Sequence, residues 1–398
     1  SLLGMNVSRH FSKADLYFGV NGVNEYFTYY GRNYSGTTIL NNDIDQQKIW
    51  KMNANIGIRS TGNCAIQYRI QTGYKLYNIA NYTLEHQVLS HLDLAWSNDN
   101  HGAGINSYVQ NNIGYNKHIL RIEPFYAYEN EQVRLHLGAN LDMNVGSGQL
   151  LSTVDNLSFA PSPNVKFEWN MMDNVFHVYA LATGHYALGS LEEYLGYNRY
   201  LNIVRGLAWR ESRAYTPVDA QLGFKLRPTR TLLIDIYGGY AYKMNAYNTK
   251  TILDATETIT DYQLWLQDIQ QWKIGANLHY HYRDIVEVNV GGNYYFYTTT
   301  VFDRPNWDAY ARIEAHIDSK WSVYSENYFA GSRQAYIDPY LGVTLRPIVS
   351  LNLGGEYAIN RWLSVYGELN DYLNRKNDIF YGYQSQGLHF LLGVKWQF

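Results

Sequence analysis

Apolar and polar residues alternate with a period of two along most of this chain, the signature of strands whose two faces meet different surroundings. Between 120 and 129, Leu120, Ile122, Pro124, Tyr126 and Tyr128 share one face, while Arg121, Glu123 and Glu129 fall on the other. From 133 to 143, Val133, Leu135, Leu137, Ala139, Leu141 and Met143 oppose Arg134, His136, Asn140 and Asp142. The split recurs in Trp50, Met52, Ala54, Ile56 and Ile58 against Lys51, Asn53, Asn55 and Arg59. It returns in Trp307, Ala309, Ala311, Ile313, Ala315 and Ile317 against Asp308, Arg312, Glu314 and His316. Such segments exceed the usual soluble strand of about five or six residues and match a tilted membrane strand. Helical periodicity is nearly absent, and only Ser190 to Tyr200 reads as a short helix.

The connections also alternate. Tight polar turns at 11–13, 60–63, 130–131, 228–229 and 318–320 separate strands whose other ends carry longer polar segments, near 32–45, 146–160, 187–216, 244–261, 332–344 and 374–384. This spacing predicts about eighteen strands, in a range of roughly 16 to 20, with short turns at one rim and long loops at the other. The expected fold is all-β: a single transmembrane antiparallel up-and-down β-barrel over 1–398, with short periplasmic turns and long extracellular loops. Residues 1–13 are expected as an extra N-terminal strand or a periplasmic segment.

Composition sharpens that picture. The 8 prolines are scattered and no linker divides the chain, so one domain is expected. Aromatic residues make up 16%, with 39 tyrosines and 10 tryptophans, rings suited to a membrane interface where one end is apolar and the other wet. No stretch approaches the roughly 20 apolar residues of a spanning helix, so any span is made by strands. No charged, apolar leader precedes Ser1, which leaves export open. A net charge of −3 without a basic stripe excludes a general nucleic-acid binder. The single cysteine, Cys64, has no partner for an internal disulfide.

In a barrel the ionic face must line the interior, because Arg or Lys at the midplane of the lipid face costs about 2 to 4 kcal/mol. Arg121, Glu123, Arg134, His136, Asp142, Glu287, Arg312, Glu314 and His316 are the lumen-lining candidates. They either select solutes by charge or pair with one another across neighbouring strands. Trp50, Trp96, Trp169, Trp307, Trp321 and Trp396, with Tyr240, Tyr294 and Tyr357, are candidates for interfacial aromatic girdles. Loop tyrosines such as Tyr336, Tyr340, Tyr381 and Tyr383 offer stacking surfaces for sugars or a partner.

The usual catalytic and nucleotide-binding motifs are missing, and no metal or cofactor is expected. His279 and His281 share a strand face without an obvious third ligand, and Asn98, Asp99 and Asn100 read as a polar turn. A barrel enzyme with Ser and His on separate strands stays behind the non-enzymatic readings.

The last strand places Phe390, Leu392, Val394, Trp396 and Phe398 on one face and ends in Phe. It resembles the C-terminal strand of outer-membrane proteins, which implies that Trp396 and Phe398 belong to the signal read by the barrel-assembly machinery. The stretches YTPVDAQLGFKLRP (Tyr215 to Pro228), NRYL (Asn198 to Leu201) and NRKNDIFYGYQSQ (Asn374 to Gln386) resemble outer-membrane barrels of the Bacteroidota, similar to the barrel part of TonB-dependent receptors. That family also carries an N-terminal plug and a TonB-binding box, and neither is visible here. The expectation is therefore an outer-membrane, porin-like channel for small hydrophilic solutes, surrounded by outer-membrane lipid. The alternative is a non-conducting barrel subunit that binds partner proteins in an export, transport or assembly complex.

Overall fold

A computed structural model describes the chain except for residues 1, 29–45, 62–63, 65, 81–82, 114–116, 146–158, 173–174, 202–212, 254–258, 339–341 and 397–398. The first eight strands are β1 (Leu2–His10), β2 (Ala14–Thr28), β3 (Gln46–Ser60), β4 (Ile66–Ile79), β5 (Thr83–Asn98), β6 (His101–Ile113), β7 (Lys117–Glu129) and β8 (Val133–Val145). Five longer strands follow: β9 (Phe159–Met172), β10 (Phe176–Leu188), β11 (Arg213–Thr229), β12 (Leu232–Leu253) and β13 (Ile259–Tyr282). Between β10 and β11 lies a helix, α1 (Leu191–Tyr197). The chain continues through β14 (Val286–Tyr297), β15 (Trp307–His316) and β16 (Trp321–Ala330), a loop hairpin β17 (Arg333–Asp338) and β18 (Val343–Leu345), then β19 (Ile348–Asn360) and β20 (Leu363–Asn370). A second small hairpin, β21 (Asp378–Phe380) and β22 (Tyr383–Gln384), precedes the final β23 (His389–Trp396).

The chain forms two compact units, one of 1–168, 180–220 and 241–269, the other of 169–179, 221–240 and 270–398. Strands β9 to β13 thus give their long-loop halves to the first unit and their short-turn halves to the second. In the first unit β1 to β8 form an antiparallel meander, each strand paired with the next in sequence. In the second, β13, β14, β15, β16, β19, β20 and β23 do the same. Lateral pairing of this kind is how strands satisfy their backbone groups where water is absent.

Side chains at the turns explain why the chain reverses there. Asn130, Asp318 and Asn360 each accept two backbone N–H groups from residues two and three positions on, at 2.6–3.1 Å, closing a tight Asx turn between β7 and β8, β15 and β16, and β19 and β20.

The two faces of the meander reverse the pattern of a soluble protein. Large apolar side chains stand exposed in register, as in the row Ile66, Trp96, Ala103, Tyr126 and Leu137 across β4 to β8, or Leu353 and Phe390 on either side of the half-buried Leu369 farther on. On the other face Asp15, Glu85, Gln87, Asn112, Glu123, Asn140 and Asp142 are buried. Exposed apolar area on this scale needs a non-aqueous surrounding. Among the described residues no helix is long and apolar enough to cross a membrane.

Several sequence expectations meet the structure unevenly. The all-β antiparallel fold stands, and the short helix stands at Leu191–Tyr197. Residues 2–10 form a strand, which makes nineteen meander strands among the described residues once the four strands of the two small hairpins are set aside from 23. The expected loop at 244–261 is strand as far as Leu253. Its polar residues do not face water: Asn245, Asn248, Thr249 and Thr251 are buried, and Asn248 reaches Gln267 at 3.3 Å on β13. The expected loop at 332–344 holds β17 and the start of β18.

Candidate functional site

The ionic face of the first unit carries a chain of paired charges. Arg121 on β7 lies directly opposite Asp142 on β8 and binds it through Nε and Nη2, at 2.7 and 3.3 Å. The pair also grips the backbone of β10: Asp142 accepts the Tyr186 N–H at 2.9 Å, and Arg121 donates to the Tyr186 carbonyl at 3.0 Å. Glu123 accepts Asn106 on one oxygen at 3.0 Å, and on the other Asn164 at 2.6 Å and the His136 ring nitrogen at 3.0 Å. Arg69 and Asp93 form a further cross-strand pair at 2.5 Å. Arg134 pairs with Glu129 near the turn end of β8, where both are two-thirds exposed.

These strands wall a cavity of about 540 Å³ lined by Arg69, His91, Asp93, Asn106, Tyr108, Gln110, Arg121, Glu123, Asn140, Asn164, the 184–188 stretch of β10 and Glu193 of α1. His91 packs on Tyr108 with ring centroids 4.8 Å apart, and Arg121 lies 5.8 Å over the same ring. Tyr108 starts a polar ladder through Gln110 and Asn112 to the Gly189 carbonyl, which ties β6 to the approach to α1.

The helix α1 is folded onto this face. Ser190 and Glu193 form a reciprocal capping box, which explains why so short a segment is helical. Glu85 on β5 accepts the Leu191 N–H at 2.8 Å, Lys75 on β4 reaches Glu192 at 3.1 Å, and Asn198 donates to Thr249 at 3.0 Å. Leu191 and Tyr194 are fully buried, and Tyr194 meets Tyr247 edge-on at 5.0 Å. Beside it Ile119, Ala160, Tyr186, Leu188 and Tyr215 form an apolar cluster on an otherwise ionic face.

The second unit gathers carboxylates along one row. One cross-strand row runs Glu287, Glu314, Tyr324, Gly354 and Glu368 over β14, β15, β16, β19 and β20. Arg312 stands one step along, binding Glu314 at 2.8 Å and also Glu326, with its guanidinium 5.2 Å over the Tyr324 ring. His316 lies 3.7 Å from Glu314, and Glu287 lies 3.9 Å from His279.

A recurrent clasp joins strands in threes. Tyr324 lies over Gly354 on the next strand, and its hydroxyl donates to Glu368 on the strand beyond at 2.7 Å; a Cβ at Gly354 would stand 2.2 Å from the ring. The same arrangement holds for Tyr17 over Gly57 to Gln71, Tyr179 over Gly223 to Asp235, Tyr237 over Gly275 to Asn293, and Tyr310 over Gly291 to Asn277. The ring covers backbone that glycine leaves bare, the aromatic rescue used in many sheets.

The nine lumen-lining candidates thus fall into two groups, Arg121, Glu123, Arg134, His136 and Asp142 in the first unit and Glu287, Arg312, Glu314 and His316 in the second. Pairing dominates both. Sequence reasoning missed Arg69, Asp93, Asn106, Tyr108 and Asn164, although Arg69 and Asp93 sit on the polar face of alternating strands and were open to the same argument. It also missed Glu326, Glu368 and the Lys75–Glu192 contact.

The six tryptophans expected as girdle residues lie on the apolar face, exposed by 40 to 72%. Trp50 and Trp307 stand near long-loop strand ends, while Trp96, Trp169, Trp321 and Trp396 stand near short-turn ends. Trp321 packs on Tyr357 at 4.5 Å, and Trp272, not anticipated, packs on Tyr240 at 4.7 Å. Phe398 lies outside the described residues.

No protein-family model matches the chain, and no curated protein matches it in sequence. Solved structures do resemble it. A ferric enterobactin receptor of Pseudomonas aeruginosa aligns over 99% of this chain and 69% of its own, with TM-score 0.71 and 10% identity. The siderophore receptor PirA of Acinetobacter baumannii aligns over 100% and 71%, with TM-score 0.71 and 10% identity. The ferric-catecholate import receptor Fiu of Escherichia coli K12 aligns over 100% and 74%, with TM-score 0.65 and 12% identity. These are receptors and importers rather than enzymes. At such identity the likeness shows the fold alone: an antiparallel up-and-down all-β fold like the barrels of these receptors.

Proposed function

We propose that the protein is an outer-membrane transport barrel whose ionic face lines a path for small hydrophilic solutes. One observation carries this reading: in each unit the face opposite the exposed apolar rows carries mutually paired charges and amides, with a cavity of about 540 Å³ among those of the first. Paired charges leave a wet wall without a strong trap, which suits passage better than retention. Around Arg312 stand Glu287, Glu314, Glu326 and Glu368, more carboxylates than that guanidinium balances, so weak cation preference follows.

Planar-bilayer recording of the purified protein tests this. Discrete steps with a reversal potential favouring cations support the channel; a silent bilayer refutes it.

A second reading has its own support. The helix α1, pinned to β4 and β5 by Lys75 and Glu85, occupies the ionic face at the long-loop end, as expected of a non-conducting subunit that presents loops and apolar wall to partner proteins. Retention of other chains in fixed ratio through detergent extraction favours this reading. The Bacteroidota resemblance of Asn198 to Leu201 and Asn374 to Gln386 fits either.

A further inference from the structure

We infer that the short turns of the second unit form a docking belt for phospholipid headgroups of net negative charge. This goes beyond the transport reading and rests only on the apolar face meeting lipid.

Four hairpins supply the belt, β11–β12, β13–β14, β15–β16 and β19–β20, and backbone bonds tie their turns side by side. The Thr231 carbonyl accepts the His281 N–H, the Ile285 carbonyl the His316 N–H, and the Lys320 carbonyl the Ala358 N–H, each at 2.8 Å. Every one of these turns carries an exposed cation: Arg230, Arg283, Lys320 and Arg361. Three of them stand between large exposed side chains, Arg283 between Tyr282 and Ile285, Lys320 between Ile317 and Trp321, and Arg361 between Ile359 and Trp362. Two guanidiniums lie on the neighbouring ring, Arg283 at 5.3 Å over Tyr282 and Arg361 at 4.5 Å over Trp362. The positive charge is thus held where the apolar wall ends, the level at which a lipid leaflet places its phosphates.

The protein does not neutralise these charges itself. Among the described residues none of the four cations is in an ion pair. The carboxylates of these turns face elsewhere: Asp318 accepts the Lys320 and Trp321 backbone N–H groups, both at 2.7 Å, and Asp284 lies 3.9 Å from His281. In the first unit the short turns of β5–β6 and β7–β8 carry the opposite sign, exposed Asp99 and Glu131. The belt is therefore a property of these four hairpins and not of short turns in general.

A headgroup of net negative charge answers every part of this arrangement. A guanidinium presents a planar fork that matches a phosphate, and each Lys or Arg beside an anionic membrane surface adds about fivefold in affinity. A zwitterionic headgroup brings its own ammonium and returns little of that. Adjacent hairpins recur every second strand, about 9 to 10 Å apart, so separate headgroups fit side by side. The rings and isoleucines beside the cations take the first methylenes of the acyl chains, which a free phosphate lacks.

Native mass spectrometry of the full chain in neutral detergent tests this, by titration with dioleoyl phosphatidylglycerol or dioleoyl phosphatidylcholine and with glycerol 1-phosphate as the chain-free probe. Phosphatidylglycerol is expected to bind about tenfold or more tightly than phosphatidylcholine, and excess glycerol 1-phosphate to leave it bound. Arg283→Gln and Arg361→Gln are each expected to weaken phosphatidylglycerol about fivefold without changing phosphatidylcholine, and adding Lys320→Gln to both should bring the two lipids within about twofold. Arg375→Gln with Lys376→Gln, exposed cations beyond the long-loop end of β20, should change neither lipid. Should the triple variant fail to fold, the single variants decide, together with Arg361→Lys, which keeps the charge and is expected to keep most of the preference. Equal binding of the two lipids, indifference to the glutamine variants, the same loss in the Arg375 and Lys376 variant, or displacement by glycerol 1-phosphate overturns the belt. Flotation with liposomes separates the two readings: a chain that floats with neither lipid removes the lipid-facing wall and the belt with it, and one that floats with both but shows no preference removes the belt alone.

Discussion

Replacing Arg121 by Met isolates the contact that holds β10 against β8. Asp142 is 1% exposed and accepts three hydrogen bonds, two from Arg121 and one from the Tyr186 N–H. Arg121→Met leaves that carboxylate with a single donor. Orphaning one member of a buried pair costs about 3 to 5 kcal/mol, and hydrogen bonds to a charged group are worth about 1.5 to 3 kcal/mol each. Because the arginine side chain is 23% exposed, water recovers part of the loss, and a destabilisation of about 3 kcal/mol is expected. Asp142→Leu is expected to cost a similar amount, since it strands the guanidinium and the Tyr186 N–H together. The double variant removes both charges and should cost about 3 kcal/mol in place of the additive sum of about 6, a coupling of about 3 kcal/mol in a double-mutant cycle. Guanidinium unfolding in lipid or detergent, followed by tryptophan fluorescence, supplies the free energies. Single-channel recording gives a second readout, since each single variant removes one of the two bonds to the Tyr186 backbone and the double removes both, which should raise conductance stepwise. Strictly additive costs would refute the latch, because additivity means the two side chains do not sense each other.

Further outcomes follow from other contacts. Gly354→Ala should cost about 2 to 3 kcal/mol by displacing the Tyr324 ring, and the cost should largely vanish in a Tyr324→Ala background when both are measured by the same unfolding assay. Leu94→Arg, on the apolar face, should destabilise by about 2 to 4 kcal/mol and slow assembly into liposomes, whereas Asn106→Arg on the opposite face should assemble normally. Arg312→Met, which removes a cation from among Glu287, Glu314, Glu326 and Glu368, should shift the reversal potential in a salt gradient towards cations. Ser190→Ala, which dismantles the capping box at a cost of about 1 kcal/mol, should increase open-state noise and proteolytic cutting near α1; unchanged noise and cutting would show that the helix is held by its tertiary contacts alone.

Much of the fold was legible because period two is set by backbone geometry alone. Once Leu120 and Arg121 are adjacent on a strand they must point to opposite faces, so the assignment of Arg121, Glu123 and Asp142 to one face followed from spacing. Which charges meet was not legible. Arg121 finds Asp142 across one turn, 21 residues on, but Asn164 reaches Glu123 from 41 residues away and Lys75 reaches Glu192 across 117. Those distances depend on tilt and inward folding, which alternation does not encode. The stretch 244–253 departs from the expected polar loop for a related reason: its Asn and Thr side chains find partners on neighbouring segments, as Thr249 does with Asn198. The helix α1 announced itself through Ser190 and Glu193, but nothing local specified the carboxylate of Glu85 that receives its first N–H.

The tyrosine clasps bear on how the strands find their alignment. A slip of one residue flips every side chain to the wrong solvent and is rejected at once. A slip of two preserves the pattern of greasy and wet, and so escapes that check. Under each clasp, however, the positions two before and two after the glycine are bulky: Asn55 and Arg59 about Gly57, Gln221 and Lys225 about Gly223, Lys273 and Asn277 about Gly275, Asn289 and Asn293 about Gly291, Asn352 and Glu356 about Gly354. A phenol ring lies flat over only the glycine of each such trio, so each clasp proofreads the shift that hydrophobicity cannot detect, once over β2 to β4 and four times from β10 onward.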